Sequence, residues 1–509
     1  MTTVVLGHPA QPLNLSQALL LAQAHTRLEL HPSTRERTLA SRDLVDQVLA
    51  QERVVYGINT GFGRLSSVRI SHDQVADLQR NLVRSHAAGT GAPLAESTVR
   101  ILMALRINSL LGGYSGVSWP LLEAFQALYN SGIVPLVPSR GSVGASGDLA
   151  PLSHVALVLM GEGEAFLEGQ RMTAAAALAA RGLKPYSFLA KEALACINGT
   201  QLMTALAVQC LGRARWLCKA ADIIAAMSVE ALLGTDSAFA GEIQQVRPHP
   251  GQIASASNLR RCMDGSELVA SHKNCAKVQD PYSLRCTPQV HGAAREGVSW
   301  CVELVERELN SVTDNPLVFP ESGRILSGGN FHGAPVALAL DAAAVALSYL
   351  GTISERRCDR LLNPDTSELP PFLTAQQGLH SGLMLVQYVA AALASENKIL
   401  CHPSSCDTIP TSAGHEDHVS MGPAAGFKLE RLLDHLEQIL ACEWMAAAQA
   451  LDYRRPLTFG PATERAYACL REAVSFVDQD RPLYEDLRRA RESLPEMVGK
   501  IEQSLGELA

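Results

Sequence analysis

The stretch Ala334-Pro-Val-Ala-Leu-Ala-Leu-Asp-Ala-Ala-Ala-Val-Ala-Leu-Ser-Tyr-Leu-Gly-Thr-Ile-Ser-Glu-Arg-Arg357 decides the fold. Alanine and leucine carry it, no proline follows its first turn, and as a helix its 24 residues would span roughly 36 Å. Its apolar residues fall almost all round, the pattern of a helix inside a bundle rather than on a surface. Leu202–Leu233, Leu379–Leu400 and Gly426–Leu451 read the same way. With 47% hydrophobic residues but only 5% aromatic, the interior of this 509-residue chain is built from Ala, Leu and Val rather than from rings. A mainly α protein follows, an elongated bundle of long helices whose flanks invite association. The charged stretch Asp478–Ala509 reads as a surface helix pair.

Upstream, the texture differs. Gly57, Gly61 and Gly63, then Gly112-Gly113, Gly132, Gly141, Gly144 and Gly147 punctuate short apolar pieces, and loops of this kind carry chemistry. We therefore divide the chain into a loop-rich part, 1–195, and a long-helix part, 196–509. A formal charge of −8 supplies no basic field for nucleic acid. The N-terminus lacks the basic start and apolar run of a secretion signal, and no uncharged apolar stretch reaches membrane-spanning length, so the expected location is the cytoplasm. Twelve cysteines without a C-x-x-C pair read as reduced, mostly buried thiols, with no metal site expected.

Common catalytic templates fail. Gly144-Ala-Ser-Gly-Asp148 has aspartate where a nucleophile elbow needs its second glycine. Gly57-Ile-Asn-Thr-Gly-Phe-Gly63 has the wrong spacing for a dinucleotide fingerprint, and Gly499-Lys500 is followed by Ile501 rather than Ser or Thr. The histidines of His415-Glu-Asp-His418 are three apart rather than the four of a zinc-protease helix.

What remains is Gly141-Ser-Val-Gly-Ala-Ser-Gly-Asp-Leu-Ala-Pro-Leu-Ser-His154. As local structure it is a turn ending in a helix cap with Asp148 as the capping acid. As a sequence it resembles the signature of the histidine and phenylalanine ammonia-lyase family, whose fold is L-aspartase-like. The resemblance implies that Ala145-Ser146-Gly147 cyclises and dehydrates to 4-methylidene-imidazol-5-one (MIO), with no external cofactor. The residue types suit that chemistry: the Gly147 nitrogen must attack the Ala145 carbonyl in a compressed turn, and loss of water turns Ser146 into a conjugated double bond. Elimination of ammonia needs such a group, because the α-amino group leaves poorly and the β-proton is weakly acidic.

The resemblance covers almost the whole chain in separate blocks. Tyr56-Gly-Ile-Asn-Thr-Gly-Phe-Gly63 is similar to the family's mobile loop, implying that Tyr56 takes the β-proton as a phenolate. Since tyrosine ordinarily ionises near pH ~10, the site is expected to supply a positive or hydrogen-bonding environment. Ser271-His-Lys-Asn-Cys-Ala-Lys-Val-Gln-Asp-Pro-Tyr-Ser-Leu-Arg-Cys286 resembles the segment supplying Gln279, Tyr282 and Arg285, and a guanidinium fits the substrate carboxylate through paired donors. Asn198 matches an asparagine between electrophile and carboxylate, and Phe331 an aromatic beside the electrophile. Taken as isolated residues, these are a core tyrosine, a surface ion pair, a turn asparagine and a core ring.

Substrate choice rests on His86, in Ser85-His-Ala-Ala-Gly89, and Glu416, in Thr411-Ser-Ala-Gly-His-Glu-Asp-His-Val-Ser-Met421. The resemblance implies that His86 faces the substrate ring. Glu416 stands where phenylalanine and tyrosine lyases carry glutamine, and a carboxylate accepts an imidazole N–H but is poorly paired beside benzene. L-histidine is thus the implied substrate, trans-urocanate and ammonium the products, and a homotetramer with shared sites the implied assembly. One departure is Gly414-His415, where relatives commonly read Asn-Gln or Gly-Gln. His418 reads as a packed histidine. Two other readings stay open: an aromatic amino acid lyase or aminomutase, and a helical assembly protein that never forms the electrophile.

Overall fold

The computed structural model describes residues 2–61, 63–65, 68–273 and 277–509. Phe62 of the tyrosine loop and positions 274–276 of the Ser271–Cys286 block lie outside them. The chain is mainly α, with twenty α-helices and only short strands among the described residues. The four long segments expected to be helical are found as Gln201–Ala231, Ala334–Leu362, Met384–Leu400 and Gly422–Asp452. The third starts five residues later than expected, because the Ser381 and Gly382 N–H groups are bound to the Asp480 carboxylate instead of entering a helix. Ala334–Leu362 is long and apolar enough to cross a bilayer by composition alone, yet 67% of its most apolar window is buried in protein.

Two compact units divide the chain. The first comprises Met1–Gly212, Val302–Asp341 and Pro403–Phe427; the second, Arg213–Cys301, Ala342–His402 and Lys428–Ala509. The first unit therefore runs past the change of texture near Ala195 and recruits two later segments. Glycine explains how its long helices start so close together, since the lack of a side chain lets another element approach the backbone. A Cβ on Gly333 or Gly422, the residues that open two of these helices, would lie 2.2 or 2.5 Å from Met203 Sδ in the first turn of a third. Three helix N-termini thus converge on one point. Beneath them, Arg106 is fully buried and donates to the carbonyls of Asn198 and Thr313 and to Gln201 Oε1, each at 3.0 Å.

In the second unit, the helices bury an ion pair between Arg357 and Glu443 and a cluster around Asp222, held by His291, Ser255, Asn258 and Arg295. The charged tail forms one helix, Tyr484–Leu505, and not a pair. Its apolar stripe, Leu487, Ala490, Leu494, Met497, Val498 and Ile501, runs unbroken across Pro495 and is buried, with Pro461–Ala473 as its main neighbour, so packing outweighs the one hydrogen bond the proline forfeits. Most described cysteines are buried, and none forms a disulfide.

Candidate active site

The turn at Ala145-Ser146-Gly147 sits where the helix starts meet. Gly147 adopts φ +73°, and a Cβ there would lie 2.2 Å from the Gly199 carbonyl oxygen, so glycine is required by both conformation and space. The Asp148 N–H donates to that same carbonyl at 2.7 Å, pinning the turn to Asn198-Gly199. Asn198 Nδ2 donates to the Ser146 carbonyl at 2.9 Å, while its Oδ1 is buried without a partner. On the other side, Met421 N–H donates to the Val143 carbonyl, and the Ser420 hydroxyl to that of Gly144.

Asp148 does not cap its own helix, Leu149–Leu159. Its Oδ2 instead accepts the N–H groups of Leu202 and Met203, at 2.9 and 3.0 Å, in the first turn of Gln201–Ala231. The expected cap is real but serves a different helix, because the turn brings the carboxyl to the orphan donors of that longer element. Burial pushes the Asp148 carboxyl up to about 7, against the pull of those N–H groups and the Ser142 hydroxyl.

Beside the turn lies a cavity of about 1130 Å³, lined by Tyr56, His86, Ser146, Asn198, Phe331 and Glu416, among others. The fold thus gathers six of the expected site residues in one unit. Antiparallel pairing of Thr90–Pro93 with Pro138–Arg140 brings the end of the Val75–His86 helix to the electrophile stretch. The His86 Nδ1–H donates to the Leu82 carbonyl at 2.9 Å, leaving Nε2 as an acceptor. Burial holds that ring below its ordinary value, against the Leu82 bond and the charge of Glu416, so it is neutral. Glu416 accepts from the Ser146 hydroxyl at 2.8 Å through Oε1, and from the Thr411 hydroxyl at 3.1 Å through Oε2. His415 lines the same cavity. His418 packs against His332, with ring centroids 5.7 Å apart.

The Tyr56 phenol is not stabilised as phenolate within this unit: burial raises it, the charge of Glu416 adds to the rise, and only a hydrogen bond with the Gly63 backbone opposes them. The described residues lining the cavity include no lysine or arginine. Gln279, Tyr282 and Arg285 belong to the other unit and do not line this cavity. Gln279 is exposed, Tyr282 is 71% exposed, and the Arg285 guanidinium stacks 4.4 Å from the Tyr282 ring centroid while its Nε donates to the Asp280 carbonyl. Arg106 and Asn315 went unread in the sequence. Arg106 had a signal, a lone arginine inside the apolar run Ile101–Ile107; Asn315, whose Oδ1 accepts from Ser327 and Gly328, had none.

Comparison with known proteins agrees with this geometry. The model of the aromatic amino acid lyase family matches residues 13–472, and the chain belongs to that family. The class expected from sequence, a lyase with this helical fold, therefore stands. Among its relatives, the histidine ammonia-lyase of Stigmatella aurantiaca is 52% identical over 93% of each chain. The histidine ammonia-lyase of Trypanosoma cruzi superposes with a TM-score of 0.91 at 38% identity, covering 99% of this chain and 95% of its own. A tyrosine aminomutase of Streptomyces globisporus superposes at 0.94 with 35% identity over the whole of both chains.

Proposed function

We propose that the protein eliminates ammonia from L-histidine to give trans-urocanate, the opening step of histidine breakdown, as a cytoplasmic homotetramer. The observation that carries this reading is Glu416, a carboxylate in the same cavity as Ser146 and His86. It accepts the imidazole N–H of histidine, whereas a benzene or phenol ring leaves it desolvated and poorly paired. Relatives named histidine ammonia-lyase, about half identical over nearly the full chain, support the same substrate.

The residues present fit an MIO group made from Ala145-Ser146-Gly147: the turn is compressed, glycine is obligatory at 147, and Asn198 has an unspent acceptor beside it. Once formed, that electrophile makes the α-amino group a better leaving group. Tyr56 takes the β-proton. Asn198 and Phe331 hold the electrophile and substrate in register, and the converging helix N-termini favour negative charge at this point. Arg285 pairs with the substrate carboxylate, with Gln279 and Tyr282 beside it. In the tetramer, sites shared among three subunits bring these three residues to the cavity of a neighbouring copy, where Arg285 or its neighbours also offset the raised phenol of Tyr56.

The test is absorbance at the urocanate band after adding L-histidine to purified protein, with L-tyrosine and L-phenylalanine in parallel. A rise with histidine alone is expected. A product band only with an aromatic substrate would favour the aromatic lyase reading, and a β-amino acid among the products the aminomutase reading.

A further inference from the structure

One dipeptide holds the groups on both sides of Gly147. Asn198 Nδ2 donates to the Ser146 carbonyl at 2.9 Å, and the Gly199 carbonyl accepts the Asp148 N–H at 2.7 Å. Where Asn198-Gly199 stands therefore decides how the Gly147 nitrogen faces the Ala145 carbonyl. The dipeptide lies between the helices Glu192–Ile197 and Gln201–Ala231, and Asn198 leaves the first with extended backbone, φ −94° and ψ 94°. Its own carbonyl thus falls outside helical pairing, and Arg106 Nη1 donates to it. The same nitrogen also reaches Gln201 Oε1 and the Thr313 carbonyl, each at 3.0 Å, and a Cβ on Gly199 would come within 2.2 Å of it.

This guanidinium is fully buried, yet the nearby Asp314 carboxylate is bound by Lys191 at 2.7 Å, and Arg106 Nε and Nη2 have no protein partner among the described residues. A buried charge without a carboxylate of its own costs desolvation, so the arginine is accounted for by what Nη1 ties together.

We propose that Arg106 is the positioning residue for formation of the electrophile, fixing the Asn198-Gly199 peptide as the wall against which the Ala145-Ser146-Gly147 turn closes. The inference rests on reading that tripeptide as the precursor of the electrophile. In the closing step the Gly147 nitrogen bonds to the Ala145 carbonyl carbon, and its hydrogen passes to the carbonyl oxygen. That oxygen then leaves as water with the Ser146 N–H hydrogen, and the N–H electron pair becomes the second bond of C=N. A second water takes Ser146 Oγ, its hydrogen and the Cα hydrogen, leaving Cα=Cβ. No oxidant or reductant is consumed. Arg106 touches none of the reacting atoms and acts through distance alone: an amide nitrogen attacks poorly, and a misplacement of about 1 Å costs such a step roughly 10²-fold.

Time-resolved intact mass spectrometry on freshly synthesised full-length chain tests this, with circular dichroism to follow the fold of each variant. The wild-type chain should become two waters lighter than its encoded sequence. Arg106→Met, similar in volume but without donors, should lose them roughly 10²-fold more slowly, and Arg106→Lys, with donors on a shorter stem, should fall between. Leu105→Ala opens a cavity in the same helix, Glu96–Leu110, and should mature at the wild-type rate although its melting temperature drops. A folded Arg106 variant that loses both waters at the wild-type rate overturns the proposal, as does a delay in Leu105→Ala equal to that of Arg106→Met. Should Arg106→Met not fold, Arg106→Lys decides alone. A wild-type chain that keeps its full mass overturns the electrophile itself, and this role with it.

Discussion

The turn at Ala145-Ser146-Gly147 is gripped from several sides, by Gly199, Asn198, Asp148 and the residues before Gly422, whereas the segment from Val278 to Arg285 turns Val278, Gln279 and Tyr282 to solvent, with Val278 fully exposed and Tyr282 71% exposed. On the proposed reading the first region carries chemistry that a chain performs on itself, which needs all its partners present when that chain folds. The second carries charge and hydrogen-bonding groups without a described ligand of their own. A guanidinium resting on a tyrosine ring at the surface gains little until it is desolvated against a carboxylate. Under the proposed shared sites, the contrast separates what one chain completes from what assembly completes.

Removing the first region's chemistry should have the largest effect. Ser146→Ala should lower kcat by roughly 10⁴–10⁶-fold, the scale seen when a covalent catalytic group is deleted, with an unchanged circular dichroism spectrum. Substantial retained urocanate formation would end the proposal. Tyr56→Phe should cost about 10²–10⁴-fold in kcat, the range for a general base. A KM change alone would instead make Tyr56 a binding residue.

The second region is tested by Arg285→Ala, which removes a charge-assisted pair worth about 1.5–3 kcal/mol and should lower kcat/KM roughly ten- to hundredfold, mostly through KM. Co-refolding the impaired Arg285→Ala and Tyr56→Phe chains should give more activity than either alone if sites are shared between subunits. No restoration would place both residues in one chain's site and dissolve the contrast.

The smallest effect concerns Asp148. Its folded carboxyl, raised to about 7, lies above its ordinary value, so the folded state holds the extra proton and stability falls as pH rises between about 4 and 7. The slope is at most about 1.4 kcal/mol per pH unit. Urea denaturation across that range should show Asp148→Asn to be flatter by this amount, and an identical slope would mean the buried carboxyl is already paired in full.

Much of this was legible in the sequence for physical reasons. Helices such as Ala334–Leu362 announce themselves because alanine-rich, all-round apolar segments have one way to bury themselves. The turn at Ala145-Ser146-Gly147 stood out in the sequence because its conformation and packing demand particular residues, as at Gly147. Long-range pairing left no local trace. That Asp148 serves the Gln201 helix rather than its own, or that Arg106 anchors Asn198 from 92 positions away, depends on where the chain returns. The C-terminal stretch was misread as a surface pair because its charge masked the buried apolar stripe that carries one helix across Pro495.

The withdrawal of the cysteines into the interior has a chemical consequence. A conjugated electrophile is consumed by thiolates, and this sequence carries twelve thiols of its own. Burial drives Cys196 and Cys358 well above the ordinary value, Cys218 to about 11, and Cys301 and Cys442 to about 12, so all five stay as unreactive thiols. Among the described cysteines, Cys406 alone is fully surface-exposed, and it does not line the cavity. Among the described residues, one outward sulfur is thus offered at which a label could be attached away from the cavity.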